Sequence, residues 1–332
     1  MSICFSRQPR EHTQTHVPSD IHSIGVGKSA FATLIAVNAP RSCDQCAVTF
    51  RSAAAAAQIS MLLVDLHHLE LTGIRVDEAA TADIDADRLW LRGGYPDSLL
   101  AATDSASFSW RADIVRSYLE REVPLFAPRI PRETLRRLWT MVAHTSGGLL
   151  NASALGQALV INGQTVDRYL DLLADLYLVR RLPSWHANVR KRVTKAPKIL
   201  VRDSGLLHAL LGLETLDDVL SHPVAGHSYE SFVVENIVAA TEPDYRPHHY
   251  RTARGDEIDL VLERGGKPAI AIEVKRSTAP EVSVALLRAR DDLGTPDTFL
   301  VHPDTGDDPY TVKGVTVIGL HRLMALLGTG HR

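Results

Sequence analysis

The stretch EIDLVLERGGKPAIAIEVKRS, residues 257–277, constrains this chain more than any other. Two apolar runs flank Gly265-Gly266, a pattern that predicts two strands joined by a tight turn. Successive side chains of a strand point to opposite faces. Glu257 and Asp259 therefore share a face of the first strand, and Glu273 and Lys275 share a face of the second. Ile258, Leu260, Leu262, Ile270, Ile272 and Val274 fill the other positions, which confines the polar set to one side of an apolar hairpin. Charges in a run as apolar as IAIEVK are unfavourable unless they are paired or used.

That arrangement suits metal-assisted phosphodiester chemistry. Asp259 and Glu273 offer the hard oxygen ligands that Mg²⁺ prefers. An ion there would polarise a phosphate and help generate hydroxide. Lys275 would position the water and stabilise developing charge. Glu235, on the helix predicted just upstream, is a third candidate ligand beside Asp259 and Glu273. The plain alternative is a surface hairpin with alternating charge.

The flanking segments place this hairpin in an α/β domain over 225–332. HSYESFVVENIVAA reads as a helix and HHYRTARG as a strand and turn. After the hairpin come a helix at 280–293, strands at 297–303 and 315–320, and a closing helix. Residues 61–125 read as a helical linker, with a helix from 109 to 122 ended by Pro124 and Pro128.

Residues 126–213 carry a different pattern. A helix at 133–145 is followed by a short helix capped by Asn151, the turn INGQT, a helix from Thr165 to Asp175 and the strand LYLVRRL. That order predicts a winged helix-turn-helix. In a DNA reader, Asn162, Gln164, Thr165 and Arg168 face base edges or phosphates. Asp167, Asp171 and Asp175 on the same helix oppose phosphate approach, so a protein-docking or structural role stands beside DNA contact. The segment 180–202 holds eight cations and no acid. Arg190, Lys191 and Arg192 are its densest run and candidates for phosphate contact; the alternative is a solvated loop.

The first 60 residues read as poorly ordered or as a degraded nucleotide-binding remnant. In GVGKS, Gly27, Lys28 and Ser29 fit the end of a phosphate-binding loop. His22 stands where the first glycine belongs and no apolar strand precedes it, so these three are nucleotide-binding candidates while ATPase activity is not expected. Cys43 and Cys46 lack a second ligand pair for zinc. With three cysteines in 332 residues there is no disulfide framework, which suits a reducing cytoplasm. A net charge of −3 gives no global bias toward nucleic acid, so any DNA binding rests on a local patch. No run approaches a membrane span of about 18 apolar residues, and no partner membrane is expected.

Five blocks in order then carry a family resemblance: LWLRGGYPDSLL, SWRADIVRSYLEREVP, GLLNASALGQAL…QTVDRYLDLL, PKILVRDSGLLHALLG and GDEIDLVLE…IAIEVKRS. Over about residues 62–325 the chain resembles the C-terminal half of prokaryotic AAA-type ATP-binding proteins, itself a domain of unknown function. The resemblance implies an ATPase domain, a winged helix and a restriction-endonuclease-like PD-(D/E)xK end, working in DNA transactions. Asp259, Glu273 and Lys275 fall on the nuclease-like motif, and Asp203 falls in the DSGLL block, where it reads as a turn cap. Only about 60 residues precede the match, so the resemblance implies an ATPase ancestor rather than an ATPase. The expected fold is thus mixed α/β and α+β: a winged-helix middle followed by a restriction-endonuclease-like α/β domain. DNA or a protein is the expected partner, and Mg²⁺ the candidate cofactor.

Overall fold

A computed structural model describes residues 72–185, 193–295 and 297–328. Gly27, Lys28, Ser29 and the three cysteines lie outside the described residues, as do Arg190, Lys191 and Arg192. The fold is of the α+β class, helices first and sheet last.

The helical part opens with α1 (Val76–Ala80), α2 (Ala86–Arg92), α3 (Pro96–Leu99) and α4 (Asp104–Ser117). The predicted helix at 109–122 passes from α4 into a single π turn, Tyr118–Glu122, and then α5 (Val123–Phe126). In α6 (Arg132–His144) the stripe Leu135, Leu138, Trp139 and Val142 is fully buried, as its spacing predicts. α7 (Ala152–Leu159) starts where Asn151 Oδ1 accepts from the Ala154 amide, and ends at Val160 in a left-handed conformation. α8 (Gly163–Asp175) starts where Asn162 Oδ1 accepts from the Thr165 amide at 2.7 Å. Two short antiparallel strands follow, β1 (Val179–Leu182) and β2 (Lys198–Val201), with Leu182 opposite Lys198.

Asp203 begins α9 (Ser204–Leu210) and ties it to the N-terminal helices. Its Oδ1 accepts from the Leu206 amide and its Oδ2 from the Gly94 amide, both at 2.8 Å. Gly205 packs so closely on the end of α2 that a Cβ there would lie 2.2 Å from the Arg92 carbonyl oxygen. α10 (Leu216–Ser221) and α11 (Ala225–Ala240) lead into the sheet.

The six-stranded sheet has the order β3-β4-β5-β6-β8-β7. It comprises β3 (Arg246–Arg251), β4 (Glu257–Arg264), β5 (Lys267–Val274), β6 (Asp297–His302), β7 (Tyr310–Val312) and β8 (Val315–Gly319). The predicted hairpin forms: β4 and β5 are antiparallel, with Leu260 opposite Ile272 and Leu262 opposite Ile270. The chain crosses from β5 through α12 (Val284–Leu293) to β6, which runs parallel to β5. α13 (Leu320–Gly328) closes the described chain.

One face of the sheet, with Leu260, Leu262, Ile272 and Val301, joins a core continuous with α2, α6, α8, α9 and α11. The other face, with Val261, Ala271 and Leu300, packs on Leu286 and Ala289 of α12 and on Trp185. Thus the helical part and the sheet share one core, and β2 is held against the end of the sheet that carries Asp259.

Candidate functional site

β4 and β5 bring Asp259 and Glu273 into one buried neighbourhood, each 7% exposed. The Val274 amide donates to Asp259 Oδ2 at 2.9 Å, which locks the carboxylate across the hairpin. Lys275 lies just beyond β5, and its Nζ donates to Glu273 Oε1 at 2.6 Å. The three residues predicted to act together are therefore adjacent.

The centre holds two further groups. Lys198 enters from β2 and is 1% exposed. Its Nζ donates to Glu230 Oε1 at 2.6 Å and to Asp259 Oδ1 at 2.8 Å, and lies 2.8 Å from Glu257 Oε1. Glu257 is also paired with Arg251 at 3.0 Å. His227, one turn before Glu230 on α11, sits 3.8 Å from Glu230 Oε2. Sequence reasoning had no signal for Lys198, which reads as one of eight solvated cations, nor for Glu230 over its neighbours on α11.

Glu235, the third predicted metal ligand, is elsewhere. It accepts from Arg180 Nε at 2.5 Å and Nη2 at 2.9 Å, and from Arg202 Nε at 3.0 Å. Burial pushes its carboxyl up, but the two guanidiniums outweigh burial and hold it below the usual range. It is a structural anion under the basic segment, and the acid of α11 that shares a cation with Asp259 is Glu230.

The titration of the centre follows from this packing. Burial pushes the Lys198 ammonium down, but Asp259, Glu230 and Glu257 outweigh burial and hold it charged well above its ordinary range. Burial likewise pushes Asp259 up, and the charge and hydrogen bond of Lys198 bring it below its ordinary value. Glu230 ends raised, by burial and then by the Asp259 charge, against the pull of Lys198. Glu273 is pushed up to about 8, first by burial and then by Asp259. Its partner Lys275 is 46% exposed at the side chain and opposes this only in part, while Oε2 is buried with no hydrogen-bond partner among the described residues.

As arranged, these side chains do not fit a divalent ion. Mg²⁺ draws its oxygens to about 2.0–2.1 Å in an octahedron. Here an ammonium stands among three carboxylates at 2.6–2.8 Å, and both Asp259 oxygens are engaged. Among the described residues no group of three or more His, Cys, Asp and Glu side chains is set to hold a metal ion.

The predicted DNA-contacting residues occupy the first turns of α8. Gln164 and Arg168 are exposed and Thr165 is half-buried; Arg168 Nη2 donates to Thr165 Oγ1 at 3.2 Å. Arg181 of β1 reaches across to Asp167 at 2.7 Å and Asp171 at 2.5 Å, so one of the two negative charges that these acids turn toward a phosphate is offset. No helix among the described residues is long and apolar enough to cross a membrane.

The chain is thus an α+β protein in which a helical part closes an acidic centre at the end of a mixed sheet. Residues 84–217 match a family described as a domain of unknown function (DUF8612), and residues 225–323 match a second, also a domain of unknown function (DUF4143). The chain is similar to the uncharacterized protein Rv2008c of Mycobacterium tuberculosis, at 39% identity over 249 residues, covering 75% of this chain and 56% of that protein. It is equally similar, at 39% identity over 249 residues, to the uncharacterized protein Mb2031c of Mycobacterium bovis. The chain spans about half the length of these curated relatives. No solved structure matches it.

Proposed function

We propose that this chain is a DNA-associated protein of the ATPase-linked kind its sequence blocks resemble, in which residues 126–213 act as a winged helix and residues 225–332 as a nuclease-like scaffold. The observation that carries the DNA reading is the surface of α8. Its N-terminal turns present Gln164 and Arg168 outward, and Arg181 pairs with Asp167 and Asp171 behind them, offsetting one of their two charges. A helix N-terminus and a guanidinium side by side suit a phosphate. The order α7, turn, α8, β1, β2 supports the winged-helix assignment, with the wing falling between β1 and β2. The order α11, β3, β4, β5, α12, β6, with Asp259, Glu273 and Lys275 at one end, supports the nuclease-like one.

Fluorescence anisotropy with duplex DNA at several salt concentrations tests this reading. Binding is expected to weaken as salt rises, and Arg168→Ala to lower the salt slope by about 1. Absence of salt-dependent binding, or an Arg168→Ala variant identical to the wild type, rejects DNA contact by α8. A second reading, a non-catalytic docking module for a separately encoded ATPase, is favoured by one observation. Asp259, one of the two carboxylates that a cleaving enzyme would use, is already engaged by Lys198 and by the Val274 amide. It is the reading that remains if the DNA assay fails.

A further inference from the structure

We propose that Lys198 is the resident cation of the acidic centre, standing where a divalent ion would be held, so that the β2–sheet contact and a divalent ion compete for the same carboxylates. The inference deepens the nuclease-like reading of the sheet and rests on it.

The geometry is that of a filled cation cage. Three carboxylates from two elements, Glu230 of α11 and Glu257 and Asp259 of β4, converge on one ammonium at 2.6–2.8 Å. Acids do not gather in a buried site without a counter-charge, because each isolated buried anion is strongly unfavourable. Here that counter-charge is tethered. It arrives from a strand outside the six-stranded sheet and is almost wholly buried. A second observation marks the same place as one with an oxygen ligand to spare. Glu273, 7% exposed, gives Oε1 to Lys275 and leaves Oε2 buried with no partner among the described residues.

Lys198 differs from a divalent ion in charge and in size. An ammonium carries one charge and keeps oxygens at hydrogen-bond distance, about 2.7–2.9 Å, whereas Mg²⁺ or Mn²⁺ would draw them in by roughly 0.6 Å. Without the lysine, Glu257 keeps Arg251, but Glu230 and Asp259 lose their closest cation. The largely buried Glu230 and the buried Asp259, which converge on the same point, then form with the unpartnered Glu273 oxygen a hard-ligand set that suits a small divalent cation.

The test is Mn²⁺ binding to the full chain, by electron paramagnetic resonance and calorimetry, with no nucleic acid present. The wild type and Lys198→Arg, which keeps the charge, are expected to bind no Mn²⁺ at this centre up to about 1 mM. Lys198→Ala is expected to bind at least about tenfold more tightly, to gain melting temperature on Mn²⁺ addition, and to lose both effects on adding Asp259→Asn. Lys198→Ala/Glu230→Gln removes one charge of each sign, and serves where the single variant folds only with the ion present. Mn²⁺ binding to the wild type that Asp259→Asn abolishes overturns the proposal. So does failure of Lys198→Ala and Lys198→Ala/Glu230→Gln alike to bind Mn²⁺ or to be stabilised by it. Because DNA is absent, loss of the DNA reading leaves this result untouched, and the reverse also holds.

Discussion

Glu273→Gln should exceed the wild type in stability by a gap that widens as pH rises, by an amount that follows from burial. Glu273 is 7% exposed, its Oε2 has no hydrogen-bond partner among the described residues, and Asp259 holds a negative charge beside it. Burial and then Asp259 raise its carboxyl from the ordinary 4.5 to about 8. The Lys275 pairing fails to reverse this because the lysine side chain is 46% exposed and its charge is screened by water. Between those two pH values the folded protein keeps a proton that the unfolded chain has released. The contribution of Glu273 to stability therefore falls as pH rises, by at most about 1.4 kcal/mol per pH unit and about 4–5 kcal/mol across the interval. That is a large part of a typical stability of about 5–15 kcal/mol. Glutamine carries no proton equilibrium, so the variant should match the wild type in acid and exceed it increasingly up to about pH 8, with a constant gap beyond. Urea denaturation followed by circular dichroism at each pH measures the gap. A gap that stays constant with pH means that Glu273 is ionised in the folded protein and refutes the reasoning.

Two other substitutions probe the frame around the centre. Glu235→Ala leaves the half-buried Arg180 and Arg202 without their shared carboxylate, and should lower stability by about 3 kcal/mol. Its effect is to be read in urea, and an unchanged midpoint would mean that the two guanidiniums find water instead. Gly205→Ala puts a methyl group 2.2 Å from the Arg92 carbonyl oxygen, so α2 and α9 must part, at a loss of about 1–3 kcal/mol or more. Thermal denaturation at the wild-type temperature would show that this contact yields freely.

The parts of the fold that were legible in the sequence are those with strong local periodicity. The β4–β5 hairpin, the buried stripe of α6 and the capped starts of α7 and α8 follow from alternation, helical spacing and Asn caps. β7 was not legible: its three residues are exposed and owe their extended form to pairing with β8. The choice between Glu230 and Glu235 was not legible either. α11 is buried nearly all round, so no apolar stripe marks its sheet-facing side. Five residues on an α-helix are about 140° apart, which sends the two acids to different neighbours, one to Lys198 and one to Arg180 and Arg202.

The basic segment shows why charge counted along a chain misleads about partners. Of its eight cations, Arg180, Lys198 and Arg202 turn inward onto Glu230, Glu235, Glu257 and Asp259, and Arg181 pairs with Asp167 and Asp171. Half of the apparent phosphate-binding patch is thus committed to acids of the same chain. Each charge so committed releases no counterion on DNA binding, and each phosphate neutralised contributes about 0.9 to the salt slope. A slope as steep as eight free cations would give is therefore incompatible with this packing, whereas a shallow one, moved by Arg168 and unmoved by Arg180, follows from it. The segment's first task is intramolecular: it supplies the positive charges by which the helical part grips α11 and the acidic end of the sheet.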